Sequence, residues 1–273
     1  MTAHEYGGSV ALIVALMAGA ALLETAVPLF APPTTLPGRR KANLLMTAQV
    51  FLFTFGLTTA AGVAAAVVPF PSSGLLAGSG LPTGAQLLFG VVVLDFAYGY
   101  AAHRTLHASP SLWRFHRVHH SDPFVDVTTS YRTHPVEIVW RHLWLVLAAW
   151  AVGVPAAALV IFRVASAVNG VLEHANIRVR PGVDALVSWV WVTPNMHKIH
   201  HSRVRAETDS NYGNLFTLHD RLLGTFVPTS RAGTVYYGLG DVAPAEVRSF
   251  ATLLALPWRM RRPVASAVSH GAP

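Results

Sequence analysis

The sequence predicts an all-α protein: a multi-span membrane helix bundle, about four spans or three spans plus a helical hairpin, with a cytoplasmic helical cap holding a His-rich dimetal site. Three observations carry this expectation. The chain has 273 residues, of which 52% are hydrophobic and 12% charged, where soluble domains average about 25% charged. Apolar runs recur at lengths near the roughly 20 residues that cross a hydrocarbon core. Histidines fall into two copies of one pattern, His116-Arg-Val-His119-His120 and His197-Lys-Ile-His200-His201, with His103-x-x-x-His107 ahead of the first.

The first apolar run, residues 8–31, is broken only by Glu24. It lacks a basic leader and is too long for a signal-peptide core, so it reads as a retained helix. Arg39, Arg40 and Lys41 follow. Residues 44–69 form a second span, ended by Pro69 and Pro71, and the connector 70–83 carries no charge. A third span starts near Gly84 and runs through Tyr100 into His103 and His107. Lys and Arg are enriched in cytoplasmic loops. That rule puts residues 39–41 inside, the connector outside, and the end of the third span inside with Arg104, Arg114 and Arg117. The N-terminus is then outside and the metal site on the cytoplasmic side of a multi-pass protein.

Residues 138–154 and 155–175 read as a helical hairpin turned at Gly153-Val154-Pro155. Each arm is short for a full crossing, so a re-entrant hairpin is open; it returns His174 to the histidine side. Val183–Val192, with Trp189 and Trp191, suits a helix lying at the membrane interface. Beyond 201 the chain turns polar, and Arg259-Met260-Arg261-Arg262 suits a cytoplasmic tail. The units are therefore 1–83 (N-terminal spans), 84–225 (histidine-box domain with the third span and the hairpin) and 226–273 (tail).

Composition excludes several functions. With no cysteine, disulfides, thiolate metal sites and cysteine-held iron–sulfur clusters are absent, and any electrons come from another protein or domain. The net charge of +7 is explained by residues flanking the spans and the histidines, so no nucleic acid partner is expected.

Residues three and four apart share a helix face. His103 can thus pair with His107, and His116 with His119 and His120. Adjacent His119 and His120 diverge by about 100° at 3.6 residues per turn. They are poorly placed for one ion and well placed for two side by side; the copy at 197–201 repeats the layout. A lone His-x-x-x-His is more often a plain helix face, but no folding need calls for clustered imidazoles, and each costs stability if buried unpaired. Two charges, Asp95 and Arg163, fall inside the spans. Both helices run inward, so the two are expected to pair or share a polar network beneath the metals.

In this order, His103-x-x-x-His107, His116-x-x-His119-His120, Thr133-His134-Pro-Val-Glu137, Glu173-His174-Ala-Asn176, His197-x-x-His200-His201, Asp209-Ser-Asn211-Tyr-Gly-Asn214 and His219-Asp220-Arg-Leu-Leu-Gly224-Thr225 resemble the fatty acid hydroxylase superfamily, also called the sterol desaturase family. The resemblance runs from about Asp95 to Thr225. It implies an integral-membrane, non-haem di-iron oxygenase that hydroxylates or desaturates a fatty acyl or sterol-like lipid, taking O2 as co-substrate and electrons from a separate reductase. It implies His103, His107, His116, His119, His120, His174, His197, His200 and His201 as iron ligands, with His134 a tenth candidate. His219 departs from the usual Trp and is set aside, as is His142. Asp209, Asn176, Asn211 and Asn214, with Asp95, are candidates to fix the ligating imidazoles from behind; for Asn-Tyr-Gly-Asn a plain turn is the alternative. Arg104, Arg117 and Lys198 are expected to point away from the metals. No Glu is followed by His three residues on, unlike soluble di-iron bundles, and an all-imidazole set leaves the charge of two cations available to bind and activate O2. The rival reading is a metal-binding or metal-transporting membrane protein without turnover.

Overall fold

The computed structural model describes residues 3–67, 74–76 and 78–259. Pro69, Pro71 and residues 260–273 lie outside them, and with them the stops expected for the second span and most of the basic tail. The described residues are helical; only two isolated β-bridges form, Pro28 with Ile177 and Trp191 with Phe216.

Five helices are long and apolar enough to cross a membrane. The first is α1 (Ala3–Ala26) and the second α2 (Arg39–Val67). The third is one continuous rod: α3 (Thr83–Leu94), a π-helical stretch (Asp95–Ala101) and α4 (Ala102–Ala108). The last two, α6 (Pro135–Val152) and α7 (Ala156–His174), are the hairpin. Its turn needs glycine twice over. Gly153 takes φ +66°, and a Cβ there would stand 2.2 Å from the Cα of Gly74.

The core explains the order of packing. Val91 and Leu94 of α3 meet Leu145 and Ala149 of α6, and Ala158 and Phe162 of α7. Met17 and Ala20 of α1 meet Val171 of α7. The opposite faces stay apolar and exposed, as at Leu52, Leu88, Leu147, Trp150 and Val160, which suits acyl chains and not water.

Each of these helices brings one end to a common layer. At the foot of α1, Glu24 accepts hydrogen bonds from the backbone of Val127 and Asn176. At the start of α2, Arg39 pairs with Asp122 and Asp126. His107, Glu137 and His174 sit at the corresponding ends of α4, α6 and α7. Short helices complete the layer: α5 (Pro110–His120), α8 (Pro181–Val187), α9 (Pro194–His200), α10 (Arg205–Thr208) and α11 (Leu218–Leu222). The interface helix expected over 183–192 is shorter, ending at Val187; Trp189 and Val190 stand exposed beyond it. Trp191 instead turns in and donates to Asn169.

The stretch expected as a tail folds back as a cover as far as Trp258. Ala232, Val235 and Tyr237 pack on Ile199 of α9. Val247, Leu253 of α12 (Phe250–Ala255) and Leu256 pack on Met46 of α2 and Val118 of α5. Burial of these apolar side chains holds the cover down.

Candidate metal centre

Nine histidines converge in this layer as two groups. His103, His107, His116, His120 and His200 form one; His119, His174, His197 and His201 form the other. Within each group the potential donor atoms lie within 4.8 Å of one another. All nine are at most 6% exposed. Helical spacing does the sorting. His103 and His107 share a face of α4, and His116 and His120 a face of α5, while His119 is turned to the second group. In the downstream copy the split is reversed: His200 joins the first group, and His197 and His201 the second. The rings of His120 and His201 stack across the boundary with centroids 4.6 Å apart.

Four of the five rings of the first group have their protons fixed from behind; His120 Nδ1 is buried without a partner. Nδ1–H donates from His103 to the Tyr212 carbonyl at 2.9 Å, from His107 to Asp209 at 3.2 Å, from His116 to Glu137 at 2.8 Å and from His200 to the Ser210 carbonyl at 2.7 Å. In the second group His174 Nδ1–H donates to the Gly170 carbonyl at 2.7 Å. A neutral imidazole whose Nδ1 carries the proton leaves a lone pair on Nε2. Yet His103 and His116 bring their Nε2 atoms to 3.0 Å, and His116 and His120 to 3.2 Å. In the second group the Nε2 contacts are 3.1 Å for His119–His174, 3.0 Å for His174–His197 and 3.1 Å for His197–His201.

Between His103 and His116 there is no hydrogen to share, and the lone pairs face one another. Protonating one ring would relieve this, but burial pushes the pKa of His116 well below the usual histidine value. It does the same at His119, His120, His197, His200 and His201. His107 Nε2 and His200 Nε2 are buried with no partner at all. A cation between the nitrogens satisfies every one of these atoms. Two cis donors about 2.1 Å from one ion stand about 3 Å apart, so the donor set fits a transition metal in each group.

The loop 209–216 serves the imidazoles largely with its backbone. Asn211 takes a positive φ of 50° and lies between the carbonyls of Ser210 and Tyr212, each of which receives an imidazole N–H. Its own side chain bonds to Val227 N and O. Asn176 bonds to Phe30 N and O, and Asn214 donates to Ser166. Of the four side chains expected behind the histidines from this loop and the end of α7, Asp209 alone touches one. Asp95 holds the loop itself, accepting from Leu215 N and Phe216 N at 3.0 Å each.

His134 stands apart from both groups. It caps α6, its Nδ1 accepting from Val136 N, and its ring packs on Phe115 and Trp258. His219 also lies outside, 3.3 Å from Asp95. The expected Asp95–Arg163 ion pair does not form among the described residues; Arg163 donates to His142 instead. Two of the cations expected to point away from the metals are buried in protein instead of reaching solvent. Lys198 is fully buried, and Arg117 is buried against Asp241. Sequence reasoning missed Glu137 as a partner of His116; its signal was its place in the first turn of α6, just after Pro135, where a helix begins at the histidine layer.

A family model for fatty acid hydroxylase matches residues 87–225. Ornithine lipid hydroxylase OlsE of Rhizobium tropici is 33% identical over 178 residues, 65% of this chain and 51% of that protein. Alkylglycerol monooxygenase of Caenorhabditis elegans is 26% identical over 56% of this chain and 29% of that protein, and that of Xenopus tropicalis 29% identical over 54% and 31%. The chain thus matches about half the length of the first relative and under a third of the other two. No solved structure matches it. The matched segment holds all nine clustered histidines and the loop that orients them, and the chain belongs to the fatty acid hydroxylase family.

Proposed function

We propose that the nine clustered histidines hold two iron ions, and that the protein is a membrane-bound oxygenase that hydroxylates a lipid, with desaturation the neighbouring outcome. O2 is the co-substrate, and electrons come from a separate reductase. The observation that carries this reading is the facing pair of His103 Nε2 and His116 Nε2, 3.0 Å apart, whose ring protons are both committed elsewhere. Its family and its lipid-hydroxylase relatives supply the reaction class.

When bound, the irons supply the O2-derived oxidant that attacks an unactivated C–H bond. The chain's own residues do the rest. Glu137, Asp209 and the carbonyls of Tyr212, Ser210 and Gly170 fix the tautomer and direction of five rings, those of His116, His107, His103, His200 and His174, which holds a ligand set together. Burial beneath the cover keeps water from the site. The apolar helix faces let substrate arrive from the bilayer. Arg39, Arg40 and Lys41 at the histidine end of α2 support a cytoplasmic site and an outside N-terminus. With five crossings, α1 enters the histidine layer, α2 leaves it, α4 re-enters, and the hairpin leaves and returns. Residues 84–225 act as the catalytic unit on the two preceding spans.

A transporter would string donors along a path through the bilayer, whereas these nine form one closed cluster at one end of it. Protein purified in nanodiscs is expected to hold two irons per chain and to consume O2 when given reductant and lipid, with product seen by lipid mass spectrometry. Iron without turnover would favour the metal-binding reading, and no metal would overturn both.

A further inference from the structure

Arg163 lies eight residues into α7, within a candidate membrane span. Its one hydrogen bond runs from Nη1 to His142 Nε2 at 3.0 Å. His142 Nδ1–H donates to the Ile138 carbonyl at 2.8 Å, so that ring is neutral and accepts with its lone pair. The guanidinium charge is therefore not cancelled. No carboxylate pairs with Arg163 among the described residues, and its remaining N–H groups are neither sealed in nor bonded to protein. An unpaired charge within a span marks a functional position.

The guanidinium is not simply reaching for headgroups at the hairpin turn. Its partner His142 is ten residues from Val152, about 15 Å along α6, and five residues from Glu137, about 7.5 Å. Along α7, Arg163 is seven residues from Ala156, about 10.5 Å, and eleven from His174, about 16.5 Å, so the cation lies inside the membrane body, clear of both ends. The phenol of Tyr131 is within electrostatic reach of it, as is that of Tyr6, whose O–H is already given to the Phe51 carbonyl; the Tyr98 ring packs on His142. Tyr6 also lines an apolar groove of about 370 Å³ between α1 and α2, with Val10, Phe51, Leu52 and Phe55. The Tyr131 ring rests on Phe51, centroids 5.3 Å apart. An unpaired cation, phenols and an apolar groove thus meet in one part of the membrane body.

We propose that Arg163, assisted by Tyr131, binds the anionic group of an acidic lipid, a carboxylate or a phosphate, whose apolar chain lies along the α1–α2 groove. The site lies in the membrane body away from the histidine layer, and binding there does not depend on the oxygenase reading. Guanidinium is the side chain suited to either anion, because its N–H fork matches their paired oxygens.

Binding tests this without turnover. Native mass spectrometry would compare retention of oleate with methyl oleate, and of phosphatidate with phosphatidylcholine. The wild-type protein is expected to favour at least one acid over its neutral counterpart by about tenfold or more, and the favoured pair tells carboxylate from phosphate. Arg163→Gln is expected to abolish the preference with metal content unchanged, Arg163→Lys to keep part of it, and Tyr131→Phe to weaken it. Absence of any acid preference in the wild type overturns the proposal. So does a preference that survives in Arg163→Gln, or, if that variant does not fold, one unaltered in both Arg163→Lys and Tyr131→Phe. Failure of the oxygenase reading shows separately, as wild-type protein without metal or without lipid oxidation.

Discussion

Lys198 Nζ donates to the main-chain carbonyl of His174 at 2.6 Å. It also reaches Ala175 O at 2.9 Å and Glu173 O at 3.3 Å. A cation thus closes the C-terminal end of α7, where unpaired carbonyls gather negative charge. Because Lys198 lies between His197 and His200, the same contact sets α9 against the helix that carries His174. Lys198→Met leaves the carbonyls of Glu173 and His174 without this donor, at about 1–3 kcal/mol each, while Ala175 O keeps Ile177 N. It is expected to release metal from the His119/His174/His197/His201 group first. Elemental analysis should then find about one ion per chain where the wild type holds two; two retained ions would show that Lys198 does not position His174.

The exchange of residues between the two histidine patterns gives a double-variant test. His119→Ala and His201→Ala remove donors from the same group, so combining them should lower the metal content no further than either alone. His119→Ala with His200→Ala strikes both groups and should leave the protein without metal. Metal content across the four variants decides between this sorting and one ion per pattern.

Glu137 bonds to His116 through one oxygen and to Arg141 through the other. Glu137→Gln keeps the shape and loses the charge behind the imidazole. Loss of such a supporting partner typically costs 10–100-fold in metal affinity. Competition against a chelator should show a drop of that order at the first group, with helical content unchanged.

Removal of metal should itself be destabilising. In the apo protein the lone pairs of His103 and His116 face each other unrelieved at 3.0 Å. Chelation is expected to lower the thermal unfolding midpoint, and added Fe(II) or Zn(II) to restore it in proportion to ligand binding. Of the two, Fe(II) alone should restore oxidation of lipid.

Asp95 ties the third rod to the loop 209–216 by two charge-assisted hydrogen bonds, each worth about 1.5–3 kcal/mol. Asp95→Asn retains one acceptor oxygen. A lower unfolding midpoint with both ions still bound is the expected result; loss of the ions would place Asp95 closer to the centre than its contacts do.

The helices and the division of His119 from His120 were legible because periodicity carries them: apolar runs of membrane length, and a 100° step between neighbours. Which member of the His200–His201 pair joined which group was not, since that depends on how α9 lies against α5. The partners behind the rings were mostly illegible because they are main-chain carbonyls, which every residue possesses. Asn176 and Asn211 looked suited to the role and are spent on Phe30 and Val227. Lys198 was expected to face outward and is buried; it and Glu24 each satisfy backbone groups that only the tertiary arrangement brings to them. The π-helical stretch at Asp95–Ala101 left one trace, Gly99, where a Cβ would stand 2.9 Å from the Asn214 Cβ.

His200, His197 and His201 arrive late in synthesis, after every crossing helix is made. A nascent chain ending before α9 offers only four imidazoles of one set and two of the other. Neither half of the centre can close until the last histidine segment docks, so an inserted but unfinished chain has no complete cage for a metal ion.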